Sequence, residues 1–177
     1  MGNRAFIEAY LADAKRVIED ISAGDIDKTI DIIFDAWKSG NQVFTCGNGG
    51  SASTATHLAC DLLKNTSVEG ETRLKAYCLN DNIPLMTALI NDDGFDNLFS
   101  EQLKSLFQRG DVLIAISVHG GAGSDKAGLW SQNLLKAMEY AGDMGGKAIA
   151  LSGFDGGPMK EIADASIVVP INSTLQV

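Results

Sequence analysis

Between residues 42 and 170 the chain alternates five short apolar runs with segments of helical periodicity, and this alternation limits the possible folds more than any other feature. The runs are 42–46, 74–79, 112–117, 148–152 and 166–170. Strands that are apolar at successive positions bury both faces, as in a parallel sheet covered by helices on each side. Helical segments at 51–64, 84–90 with 95–107, 131–144 and 158–164 supply the connections, which are right-handed crossovers in such sheets. The expected core is therefore α/β: a three-layer α/β/α sandwich around a five-stranded parallel sheet. Ahead of it, residues 4–22 place Phe6, Ile7, Tyr10, Leu11, Ala14, Val17, Ile18 and Ile21 at helical spacing. A second stripe follows from Asp25, with Ile26, Ile30, Ile33, Phe34 and Trp37 on one face, and Gly24 and Gly40 punctuate the two. The N-terminal helix pair thus occupies 4–39 and the α/β core 42–177 of a single domain. The apolar faces of the pair either cover the sheet or meet another subunit, and the pattern alone leaves both open.

Bulk properties narrow the function classes. A chain of 177 residues has the size of one domain with a sizeable core. No apolar run reaches the length of a membrane span, and Met1 to Phe6 lack the apolar core of a signal peptide. Cys46, Cys60 and Cys78 are odd in number and show no paired metal spacing, so reduced thiols and a cytoplasmic location are expected. A formal net charge of −9 argues against nucleic acid as a partner. It does not exclude a phosphorylated small molecule, because backbone N–H groups at a helix N-terminus hold a phosphate without Lys or Arg.

Chemistry in an open parallel sheet is expected beyond the C-terminal ends of the strands, and three motifs sit there. In the first, Cys46-Gly47-Asn48-Gly49-Gly50-Ser51 follows the first strand, with Ser51 expected to cap the next helix. Its glycines permit close backbone approach, so that several N–H groups converge on one anion. The same residues through Ala52 also satisfy the loose dinucleotide pattern G-x-G-x-x-G/A. Two helices precede the turn, however, and Asp81 lies beyond the usual ribose-binding distance of about 20 residues, so that reading is the weaker. In the second motif, Ile116-Ser117-Val118-His119-Gly120-Gly121 ends the third strand and reads equally as a ligand loop or a flexible connection. In the third, His57 and Asp61 stand at i and i+4 on the helix that leaves the cradle. That spacing suits a shared divalent metal, proton transfer or a simple local pair.

Cys46 through Ala52, followed by His57-Leu58-Ala59-Cys60-Asp61-Leu62, resembles the sugar isomerase (SIS) domain of bacterial phosphoheptose isomerases. Asn91-Asp92 with Gly94-Phe95, Gly110-Asp111-Val112-Leu113 and Gly153-Phe154-Asp155-Gly156-Gly157 match later parts of the same pattern, so the likeness covers nearly the whole chain. The resemblance implies a SIS-type sandwich that converts sedoheptulose 7-phosphate to D-glycero-D-manno-heptose 7-phosphate through an enediol, an early step toward nucleotide-activated heptose. It further implies a cytoplasmic homotetramer with sites between subunits and one zinc per subunit. By the same resemblance Asn48, Gly49, Gly50, Ser51, Asn91 and Asp92 contact substrate. Ser117, Val118 and His119 open the phosphate loop, and Ser131 is its last serine. Asp61 is the catalytic base and a substrate contact, His57 and Asp61 are metal ligands, and Gln176 touches both substrate and metal.

The departures from the pattern are specific. Asp61 stands where the family has Glu, His119 where it has the middle serine, and 122–130 reads as an insertion into the phosphate loop. The family's final helix, with its second acid/base His, would follow Gln176, and the chain ends at Val177. These differences suit an alternative in which the fold serves as a non-catalytic phosphosugar-binding or replication-initiator-binding protein.

Overall fold

The computed structural model describes residues 2–121 and 130–171. Its elements run α1 (Asn3–Asp20), α2 (Ala23–Lys38), β1 (Gln42–Gly47), α3 (Gly50–Lys64), β2 (Lys75–Cys78), α4 (Ile83–Asp92), α5 (Leu98–Leu106), β3 (Val112–Ser117), α6 (Gln132–Asp143), β4 (Lys147–Ser152), α7 (Gly157–Ile162) and β5 (Ala165–Val168). The five strands form one parallel sheet in the order β2-β1-β3-β4-β5.

Alternation along each strand divides the core in two. Phe44 and Cys46 on β1 and Leu113 and Ala115 on β3 face Phe99, Leu103, Leu134 and Met138 of α5 and α6. Val43, Val112, Ile114 and Ile149 face the other way, toward Ala36 of α2 and Ala55, Ala59 and Leu62 of α3. All of these side chains are buried, which is why the strands read as continuous apolar runs rather than as half-polar ones.

The helix pair divides its labour. Ser22 caps α2 by accepting from the Asp25 N–H at 3.2 Å, and α2 packs on β1, β3 and β5. α1 buries only Val17 and leaves Phe6, Leu11 and Ile18 54%, 61% and 72% exposed. Of the two outcomes left open by the pattern, α2 takes the first and covers the sheet, while the apolar face of α1 is uncovered in the single chain. Among the described residues no helix is long and apolar enough to cross a membrane.

The chain leaves β1 toward β2 on one side and returns to β3 on the other. Gly47 lies in register with Ile116, so the turn after β1 and the loop after β3 flank the point where strand order reverses. Ligand clefts form at such points in open α/β sheets.

Candidate active site

The turn after β1 is held by sterics and by one side-chain clamp. A Cβ on Gly47 would lie 2.5 Å from the Ser51 backbone, so only glycine allows α3 to start this close to the strand. Asn80, just past β2, fixes Gly47 from the side: its Oδ1 accepts from the Gly47 N–H at 3.1 Å and its Nδ2 donates to the Gly47 carbonyl at 3.0 Å. The helix begins one residue earlier than the sequence suggests. Gly49, at φ +57°, occupies the cap with no side chain bonded into it, and Ser51 lies within the first turn, donating its N–H to the Asn48 carbonyl at 3.1 Å. An uncapped helix N-terminus carries partial positive charge toward the opening.

Opposite stands the loop after β3. Ser117 is buried at the strand end, and the Val118 and Gly120 carbonyls accept from the Gly153 and Met159 N–H groups at 3.0 and 2.9 Å. His119 packs against Phe154, with ring centroids 4.3 Å apart and planes tilted by 33°. Gly120 is another enforced glycine, since a Cβ there would meet the Gly156 carbonyl oxygen at 1.8 Å. Ser131 precedes α6 in the left-handed region, at φ 51° and ψ 41°, and occupies the cap position with no side-chain bond into the helix.

The two walls flank a pocket of about 140 Å³ lined by Asn48, Ser51, Ile116, Ser117, Val118, His119, Trp130 and Ser131. That is room for about five waters at liquid density, enough for a hydrated anion. A larger cleft of about 700 Å³ shares Asn48, Ser51, Ser117 and Val118 and continues past Gly50 and Thr54 to Ser152 and Gly153, within the usual size of small-ligand sites. Among the described residues no Lys or Arg lines either space. An anion here is served by hydroxyls, amides and the helix terminus. Gln132 Nε2 and Ser152 Oγ are buried polar atoms with no hydrogen-bond partner among the described residues.

His57 and Asp61 do meet. Nε2 and Oδ2 are 3.3 Å apart, with side chains 77% and 43% exposed, and Asn65 Nδ2 donates to the other carboxylate oxygen, Oδ1, at 2.7 Å. They line an open concavity of about 430 Å³ that shares Thr54 with the larger cleft. An imidazole and a carboxylate one helical turn apart are zinc-ligand types, and they present two donors on one exposed face. Among the described residues no three His, Cys, Asp or Glu side chains cluster to hold a metal. The expected third ligand, Gln176, lies outside the described residues. The pair therefore fits part of a metal site.

Asn91 and Asp92 stand apart. They are exposed at the end of α4, with Asn91 Nδ2 donating to Asp92 Oδ1 at 2.7 Å, and line neither cleft. Of the 122–130 stretch only Trp130 is described. Two residues that the sequence reading passed over prove structural to the site: Asn80, and Asn133 on α6, whose side-chain amide pairs with that of Asn48. Asn133 is a polar residue on the buried stripe of α6, and that mismatch is the signal that marks it.

The SIS domain family model matches residues 8–153. The phosphoheptose isomerase of Aliarcobacter butzleri is 36% identical over 172 residues, 96% of this chain and 86% of that protein. The lincomycin biosynthesis protein LmbN of Streptomyces lincolnensis is 39% identical over 164 residues, 93% of this chain, although the match spans only 58% of LmbN. Among solved structures, the phosphoheptose isomerase GmhA of Neisseria gonorrhoeae matches with a TM-score of 0.85 at 28% identity, covering 99% of this chain and 90% of its own.

Proposed function

The chain belongs to the SIS-domain family of phosphoheptose isomerases, and we propose that it interconverts an aldose and a ketose phosphate, taking sedoheptulose 7-phosphate to D-glycero-D-manno-heptose 7-phosphate through an enediol in the cytoplasm. The observation that carries this reading is the 140 Å³ pocket, where Asn48, Ser51, Ser117 and Ser131 surround one anion-sized space that continues into the larger cleft.

The phosphate of the substrate binds in the small pocket and the sugar chain extends along the cleft. Fixing the phosphate makes the later proton transfer effectively intramolecular. Asp61 acts as the base: it removes the proton from the carbon beside the carbonyl and returns it to the neighbouring carbon. Asn65 and His57 hold the two carboxylate oxygens from opposite sides, which orients the base. His57 and Asp61, with Gln176, would hold a zinc ion in place of their mutual contact, and the chemistry it would supply when bound is polarisation of the substrate oxygens. His57 is exposed and Asp61 half-buried in one chain, and Asn91 and Asp92 lie away from the pocket. Both facts support a site completed between subunits of a homotetramer, with the bare face of α1 as part of the contact. The product would enter the synthesis of nucleotide-activated heptose.

The test is turnover of sedoheptulose 7-phosphate, with and without added zinc, in wild type and Asp61→Ala. The expected outcome is isomerisation by wild type and a loss of about 10²–10⁴-fold in kcat for the variant. Thermal stabilisation by the sugar phosphate without turnover would transfer the protein to the non-catalytic, binding-only reading. Stabilisation by NAD(P) with none by sugar phosphates would overturn both.

A further inference from the structure

We infer that Asn133 is the positioning residue of the anion pocket, holding Asn48 in the orientation that a phosphate requires. The inference rests on the isomerase reading above.

Asn133 is fully buried on the stripe of α6 that carries Leu134, Ala137, Met138 and Ala141 into the core. A primary amide in such a place must find partners, because an unpaired one is strongly destabilising. Here the partner is another side chain 85 residues away: Asn48 Nδ2 donates to Asn133 Oδ1 at 3.0 Å, and Asn133 Nδ2 donates back to Asn48 Oδ1 at 2.9 Å. Asn133 Oδ1 also accepts from the Leu134 N–H at 3.0 Å, which fixes the amide to the first turn of its own helix.

Two antiparallel bonds between planar amides close a ring, and a ring sets direction as well as distance. Asn48 and Ser51 form one wall of the 140 Å³ pocket and Ser131 stands in the other, two residues before Asn133. The amide pair therefore sets the separation of the walls. It also sets which way Asn48 points. An asparagine amide has two N–H bonds; one of those on Asn48 is used by Asn133, and the other is left for a ligand with its direction fixed. Asn133 itself lines neither cleft, so its effect on substrate passes through Asn48. An uncharged pair suits the task, since a buried carboxylate in its place would face the incoming anion.

The test compares Asn133→Ala, Asn133→Asp, Asn48→Ala and the Asn48→Ala/Asn133→Ala double variant. It reads KM and kcat for sedoheptulose 7-phosphate, inhibition by inorganic phosphate, and Tm. Because the phosphate is bound alike in ground and transition states, its loss moves KM rather than kcat. Asn133→Ala should raise KM and the phosphate inhibition constant by about tenfold with kcat changed less than about twofold. Asn133→Asp, which keeps the volume, should do so more strongly. The double variant should be no worse than the worse single, as expected of two groups acting as a unit. A lower Tm for both Asn133 variants with KM and phosphate inhibition unchanged would reduce Asn133 to a structural residue, as would additive effects in the double variant. A wild-type chain that neither turns over the sugar phosphate nor binds phosphate would instead overturn the isomerase reading, and this proposal with it.

Discussion

At the scale of single residues, the site depends on positions where no other side chain fits. Gly47 is the sharpest case, because the atoms that a Cβ would strike belong to the Ser51 backbone at 2.5 Å and cannot swing away. Gly47→Ala should cost about 1–3 kcal/mol through forced backbone movement, lowering Tm by roughly 3–10 °C in a domain of this size. It should also raise KM for the sugar phosphate. An unchanged Tm would mean that the strand-to-helix turn is looser than described. The cysteines give a second residue-scale prediction. Burial, with Cys78 nearby, pushes the Cys46 thiol far above the usual thiol range, so it stays protonated and inert. A thiol reagent should modify the exposed Cys60 at once and Cys46 only on unfolding; early modification of Cys46 would contradict the packing. The lining of the small pocket was legible in the sequence at this scale. Asn48, Ser51, Ser117, His119 and Ser131 were expected together and line one pocket. Asn80 and Asn133 escaped because their roles come from contacts 33 and 85 residues away; the polar mismatch on the stripe of α6 marks Asn133 as a buried amide but does not name its partner.

At the scale of elements, the end of the sheet opposite the site is closed by Asp111, which precedes β3 and is 2% exposed. One carboxylate oxygen accepts from the Gln42 N–H at 2.8 Å; the other accepts from the Gln108 N–H at 2.8 Å and from Gln42 Nε2 at 3.2 Å. The starts of β1 and β3 are thus tied through one side chain. Asp111→Ala would leave those donors without their acceptor, at a cost of about 2–4 kcal/mol. Tm should fall while KM for the sugar phosphate stays near wild type, because the site lies at the other end of the strands. A raised KM at full stability would refute this division. Most elements were legible to within a residue or two, although α5 starts at Leu98 rather than Phe95. Strand 112–117 coincides with Val112–Ser117, and 42–46 with Gln42–Gly47, since strands covered on both faces leave an unbroken apolar trace. Helix starts were less legible. Glycine occupies the cap of α3, where a side-chain cap was expected, and Ser131 adopts a left-handed conformation that local propensity does not favour.

At the scale of the whole molecule, one chain cannot satisfy its own surface. Leu11 and Ile18 on α1 are 61% and 72% exposed, and Ile30 and Phe34 on α2 are 56% and 50% exposed. In the proposed tetramer these are the side chains expected to meet other chains. Burial of each such side chain is worth about 1.5–3 kcal/mol, and symmetry repeats every contact in each copy. Since these side chains add little to the core of the single chain, Leu11→Glu with Ile18→Glu should break the assembly and leave the fold. Light scattering should show a tetramer for wild type and a smaller species for the double variant, with circular dichroism unchanged. If subunits complete one another's sites, turnover should fall with dissociation even though Asn48, Ser51, Ser117, Asp61 and His57 are all untouched. Raising the protein concentration should then restore it in part, by mass action. A tetramer that survives the double substitution would remove α1 from the interface. Dissociation with full activity would place a complete site within one chain, and would require Asn91 and Asp92 to act elsewhere than in the chemistry.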